Sequence, residues 1–158
     1  MKAAGRKPPR EGRVGSLLRR ARLDGSLLSA NGVNPVVEDF EGAFAKTAGA
    51  EWALALSSGT AAVHTALLAC DLGPGDEVIV SPYGWGQTVA AVLYAGATPV
   101  FADIDPETLA LDPACAAHVI SPRTRAILVT HMCGLPANMK ALETVARDNG
   151  LRLIADGA

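Results

Sequence analysis

From Trp52 onward the sequence alternates short apolar runs with longer stretches of helical periodicity, and few architectures accommodate that pattern. The apolar runs are 52–56, 77–81, 98–102, 125–130 and 151–155; the helical stretches are about 60–70, 86–95, 113–119 and 138–148. Alternation of this kind builds βαβ units and a mostly parallel sheet. The runs are apolar at nearly every position rather than at every second one, which predicts strands covered by helices on both faces. Breakers stand where the units should turn: Gly73-Pro74-Gly75-Asp76, Asp105-Pro106 and Asn149-Gly150. Ahead of these units, Val36, Val37, Phe40 and Phe44 recur at helical spacing, so a further amphipathic helix is expected over 36–48. Asn34-Pro35 starts it and Gly49 stops it.

Charge separates this α/β segment from what precedes it. Residues 1–22 hold eight Lys or Arg and one acid, whereas the remainder holds six basic and fifteen acidic residues. Residues 1–35 are therefore read as a basic N-terminal arm with at most one short helix near Leu17 and Leu18. Such an arm either touches nucleic acid or is a flexible leader or an arm that packs on a partner subunit. No aromatic residue interleaves its charges, so the second reading is preferred and a nucleic-acid partner is not expected. No apolar run reaches the roughly 20 residues that a membrane helix needs, and none follows the basic start as a signal peptide would require. The three cysteines, Cys70, Cys115 and Cys133, are odd in number and widely spaced. They suggest neither a disulfide framework nor a metal site, and a cytoplasmic setting is the simplest expectation.

In open parallel sheets ligands gather at the carboxyl ends of the strands, so residues just after each apolar run are the candidates. After 52–56 comes Ser57-Ser58-Gly59-Thr60-Ala61-Ala62, leading into a helix. Glycine between small hydroxyl residues at a helix N-terminus can seat a phosphate on free backbone N–H groups. The same residues also serve as a plain helix cap through Ser58. After 77–81, Tyr83 and Trp85 stand among glycines, either to stack on a planar ring or to cover the sheet edge. After 98–102, Asp103 and Asp105 are expected in structural roles, Asp105 opening a turn. After 125–130, His131 either orients a ligand or bonds to backbone. Cys133 has no base at a telling spacing and is expected to be a buried structural thiol. Asp156 follows the last apolar run, placed for a ligand contact or for capping a helix.

Taken together and in order, these segments resemble one family, the DegT/DnrJ/StrS sugar aminotransferases, which depend on pyridoxal 5′-phosphate (PLP) and have fold type I. The resemblance runs from about Pro35 to Ala158. It rests on Glu41 through Gly49, Ser57 through Ala62, Gly73-Pro74-Gly75-Asp76-Glu77-Val78 and Gly96 through Phe101 with Asp103-Ile104-Asp105. His131 with Gly134 and Pro136, and Asp156, complete it. The chain departs from the family pattern at Gly84, usually Thr, at Leu135, usually Gln, and at Ala155, usually Glu; Met132-Cys133 is also unusual.

The resemblance implies that residues 36–158 form the N-terminal portion of a PLP-binding large domain. It implies that Gly59, Thr60 and Ala61 hold the cofactor phosphate, that Trp85 stacks on the pyridine ring and that Asp156 pairs with the pyridine nitrogen. In the family a lysine further along forms the Schiff base and moves protons. The lysines here are Lys2, Lys7, Lys46 and Lys140, and none matches it. The expectation is a truncated chain, inactive alone, with no catalytic lysine of its own. The implied parent activity is amination of a keto-sugar or keto-cyclitol by an amino-acid donor, in a homodimer. Two other readings stay open: a non-catalytic PLP-binding relic or partner subunit, and a PLP/PMP-dependent sugar dehydratase of the same family. A dinucleotide-type binder is disfavoured, because no turn after a strand reads G-x-G-x-x-G.

Overall fold

The computed structural model describes residues 35–157, so residues 1–34 of the expected basic arm, and the short helix expected near Leu17 and Leu18, lie outside the described residues. The chain divides after Ala55 into two compact units. In the first, helix α1 spans Pro35–Ala48. Pro35 opens it, where a missing N–H costs nothing. Gly49 ends it in the left-handed region at φ +67°, and the Ala50 N–H returns to the Ala45 carbonyl at 3.0 Å. On the helix, the rings of Phe40 and Phe44 meet one turn apart at 5.9 Å. Glu41 accepts the Ala55 N–H at 2.7 Å and so ties down the segment that follows.

One expectation fails here. Residues 52–56 are irregular, not a strand. Trp52 and Leu54 are 82% and 69% exposed. An apolar run becomes a strand only where a neighbour supplies a hydrogen-bonding ladder, and none of the four strands described below pairs with it.

The second unit is the alternating α/β segment. Its elements are α2 (Gly59–Ala69), β1 (Glu77–Val80), α3 (Gly86–Tyr94), β2 (Thr98–Phe101), α4 (Pro113–His118), β3 (Thr124–Thr130), α5 (Met139–Asp148) and β4 (Arg152–Asp156). The strands are all parallel, in the order β2-β1-β3-β4. Alternate side chains of the central strands feed two cores, as the two-residue period of a strand requires. Val78, Val80, Ala126 and Leu128 pack with Val63 and Leu67 of α2 and Ala91 and Val92 of α3. Ile79, Ile127 and Val129 pack on the other face with Leu111, Ala116 of α4, and Leu142 and Ala146 of α5. Both faces are thus covered, as the apolar runs predicted. No helix among the described residues is long and apolar enough to cross a membrane.

Two local devices set the sheet's geometry. Gly96 has φ +79°, and a Cβ there would lie 3.2 Å from the Pro74 ring, so conformation and space both demand glycine between α3 and β2. At the head of β1, Glu77 is buried but fully engaged. The Ser121 hydroxyl donates to its Oε2, and Arg123 donates to its Oε1 from Nε at 2.8 Å and Nη2 at 2.6 Å. These bonds, the Ser121 bond first and Arg123 second, outweigh burial and hold the Glu77 carboxyl below its usual range. A depressed native value means that the stabilisation is fully present above the unfolded-state pKa and fades as pH falls through the native one. Melting temperatures of wild type and Glu77→Gln should therefore differ at neutral pH and converge below about pH 4. A difference that stayed constant down to about pH 3 would show that ionisation of Glu77 is not what stabilises this junction.

Candidate functional site

The strand order reverses at β1. The chain leaves β1 for β2 on one side, then crosses back to place β3 and β4 on the other. The crevice between β1 and β3 at their carboxyl ends is the topological switch point, where the connections diverge and leave room for a ligand. A cavity of about 520 Å³ opens there, within the usual range for small-molecule sites. Its wall comes from four places. Gly59, Thr60 and Val63 come from α2; Tyr83, Gly84, Trp85, Gln87 and Thr88 follow β1. Thr130, Met132 and Cys133 end or follow β3, and Asp156 ends β4.

At the N-terminus of α2, Ser58 is the cap. Its hydroxyl accepts the Ala61 N–H at 3.1 Å. The Gly59 and Thr60 N–H groups have no preceding turn to bond to. No acidic residue stands in the first turn, so the positive end of the helix dipole is not neutralised from within. A Cβ at Gly59 would meet no atom within 4 Å, which leaves open space against the backbone. The sequence put Gly59, Thr60 and Ala61 together as a phosphate seat. The structure brings Gly59 and Thr60 to the cavity, while Ala61 is not among the residues lining it and its N–H is taken by the cap.

The loop after β1 is braced by Ser81, whose side chain both accepts the Tyr83 N–H and donates to the Tyr83 carbonyl, each at 3.0 Å. Beyond this brace, Tyr83 and Trp85 both line the cavity. Trp85 is the N-cap residue of α3, makes no capping bond with its side chain and is 75% exposed, so its ring is presented rather than packed.

Asp156 closes the other side. Thr88 Oγ1 donates to its Oδ2 at 3.0 Å, and its carbonyl accepts the His131 N–H at 2.9 Å. His131 itself takes the structural option: Nδ1 accepts the Ala137 N–H at 3.2 Å. Asp103 and Asp105 lie away from the cavity. Asp103 accepts the Ile104 N–H at 2.8 Å, and Asp105 opens its turn by accepting the Glu107 and Thr108 N–H groups at 2.7 and 3.1 Å.

Cys133 corrects the sequence reading. It is exposed and lines the cavity instead of being buried. Its φ of +53°, followed by Gly134 at +79°, turns the Met132–Gly134 segment outward from β3. Thr88 was missed altogether. The available signal was a hydroxyl one turn into a helix that directly follows a strand end.

Comparison with known proteins gives this geometry a context. Residues 21–158 match the model of the DegT/DnrJ/EryC1/StrS aminotransferase family. The chain is 44% identical over 124 residues to the spore coat polysaccharide biosynthesis protein SpsC of Bacillus subtilis, covering 78% of this chain and 32% of that protein. It is 45% identical over 119 residues to L-glutamine:scyllo-inosose aminotransferase of Streptomyces griseus, covering 75% of this chain and 28% of the relative. The chain thus spans about a third of the length of the curated relatives that it matches. Among solved structures, it superposes on NtdA of Bacillus subtilis with bound cofactor PMP at a TM-score of 0.81 and 33% identity, covering 90% of this chain and 32% of that one. The family match over most of the chain, carried on a parallel sheet whose switch point holds the cavity, places this chain in the DegT/DnrJ/EryC1/StrS aminotransferase family.

Proposed function

We propose that residues 36–158 form the N-terminal part of a PLP-binding large domain, in an enzyme that transfers an amino group from an amino-acid donor to a keto-sugar or keto-cyclitol. The observation that carries this reading is the meeting of three unlike groups around one cavity: the N-terminus of α2, the Trp85 ring and the Asp156 carboxylate. A flat, doubly charged phosphate ester of a pyridine needs those three. The Gly59 and Thr60 N–H groups fit its phosphate, with room at Gly59 for close approach. The exposed Trp85 indole fits a ring face. Asp156, an anion facing the cavity from the end of β4, fits a protonated ring nitrogen.

When bound, PLP supplies an electron-withdrawing ring that stabilises negative charge at the substrate carbon. This chain's residues do the rest. Asp156 holds the proton on the ring nitrogen, the α2 N-terminus anchors the phosphate, and Trp85 fixes the ring and keeps water from one face. No lysine is among the described residues that line the cavity. The amine that carries the proton during transfer is supplied by another part of the assembled enzyme, which works as a homodimer.

An absorbance titration with PLP, with and without borohydride, tests this reading. Saturable binding is expected, with no covalent adduct on Lys46 or Lys140 after reduction and peptide mass analysis. An adduct on either lysine would relocate the chemistry, and the lack of saturable binding would remove PLP from the site.

A further inference from the structure

We propose that Thr88 is a positioning residue for the cofactor site, its hydroxyl holding the Asp156 carboxylate in the orientation that meets a ring nitrogen. The inference rests on the reading of the cavity as a PLP site and adds to it a residue outside the phosphate, stacking and nitrogen contacts.

Three observations carry it. First, Thr88 shares the buried face of α3 with Ala91 and Val92 and is only 9% exposed. A valine of the same shape would fill that position without a polar atom to satisfy, and a buried hydroxyl is stable only with a partner. Second, that partner is Asp156 Oδ2 at 3.0 Å, contributed by a strand 68 residues further along the chain. The bond joins the first turn of the helix that follows β1 to the end of β4, spanning the cavity wall.

Third, two other helical threonines, Thr47 and Thr144, do something different. Thr47 donates to the Ala43 carbonyl at 2.9 Å and Thr144 to the Lys140 carbonyl at 3.0 Å, each one turn back in its own helix. Thr88 lies too near the start of α3 to have a helical carbonyl four residues back, and its proton goes to the carboxylate. A hydroxyl donates only one hydrogen bond. Spent on Oδ2, it orients the carboxylate.

The test is PLP affinity, read by absorbance titration of the whole chain, for wild type, Thr88→Val, Thr88→Ser, Asp156→Asn and the Thr88→Val/Asp156→Asn pair. The same series is titrated with the 1-deaza analogue of PLP, in which a C–H replaces the ring nitrogen. Thr88→Val should weaken PLP binding by roughly tenfold, as loss of a hydrogen bond to a charged group does. Thr88→Ser, which keeps the hydroxyl, should stay within about twofold of wild type. The valine penalty should largely vanish with the deaza analogue and in the Asp156→Asn background, because coupled residues are not additive. Equal affinity of wild type and Thr88→Val would overturn the proposal. So would a penalty that persists with the deaza analogue, or a loss in Thr88→Ser as large as in Thr88→Val, since either assigns Thr88 a packing role. A wild-type chain that binds the deaza analogue and PLP equally well would sink the role of Asp156 and, with it, that of Thr88. A wild-type chain that binds neither would sink the cofactor reading itself, which the other outcomes leave standing.

Discussion

Asp156→Asn is expected to weaken PLP binding by about 10- to 150-fold while leaving the fold in place, because a hydrogen bond to a charged group contributes about 1.5–3 kcal/mol. The substitution is close to isosteric. Its carboxamide oxygen can still accept the Thr88 hydroxyl, which in wild type lies 3.0 Å from Oδ2, so the wall of the cavity should survive. What is lost is the negative charge beside the ring nitrogen. A neutral amide no longer favours the protonated nitrogen, and the pairing falls to an ordinary hydrogen bond at best. Calorimetric titration measures the loss. Inorganic phosphate is the control ligand: it addresses the α2 N-terminus alone, so its affinity should be nearly equal in wild type and variant. Unchanged PLP affinity in Asp156→Asn would remove Asp156 from the site. Parallel weakening of phosphate and PLP would mean that the substitution had disturbed the cavity as a whole. Thermal melts followed by circular dichroism establish that the variant is folded before either comparison is made.

The layout of the second unit was legible because its signals are local. Each strand from β1 to β4 is a short apolar run bounded by breakers, and each helix from α3 to α5 follows one of these strands. Capping residues sat where the termini were expected: Ser58 before α2, Asp112 before Pro113 of α4, and Asn138 before α5. Residues 52–56 carry the same local signal and do not form a strand, because strand formation depends on a ladder partner that no local pattern reveals.

The site divides in the same way. Gly59, Thr60, Trp85 and Asp156 could be picked out because each follows a strand-like run, and the switch point draws such residues together. Ala61 came from the resemblance, and its N–H bonds to the Ser58 cap. Thr88 read as an ordinary helical position, because its partner arrives with β4. Cys133 read as buried because its left-handed backbone, which turns it to the cavity, has no signature in a non-glycine residue. What sequence could not show was decided at Thr88 by a contact distant in the chain and at Cys133 by a backbone angle.

Ile127→Ala should cost about 2–5 kcal/mol of folding stability. Ile127 is fully buried in the middle of β3, a strand with ladders on both sides. Its ladder partners Ile79 and Leu153 flank it on the same face of the sheet, and Leu111, Ala116 and Leu142 belong to the core above it. The same core also holds Ala102, Ala110, Ala137 and Ala146 beside Ala116, and alanines have no side-chain length with which to swing into a vacated space. The paired backbones of β1 and β4 hold the strand spacing, so β3 cannot slide inward to close it. Most of the cavity should therefore remain, and the loss should fall toward the upper part of the range. The comparison is Leu135→Ala, an exposed leucine beyond β3, where a change within about 0.5 kcal/mol is expected. Urea unfolding of the three proteins, followed by circular dichroism, gives the midpoints, and equal slopes are required before they are compared. A cost below about 1 kcal/mol for Ile127→Ala would mean that the face of the sheet against α4 and α5 repacks freely, and that the two-sided core is not what holds the carboxyl ends of β1, β3 and β4 around the cavity.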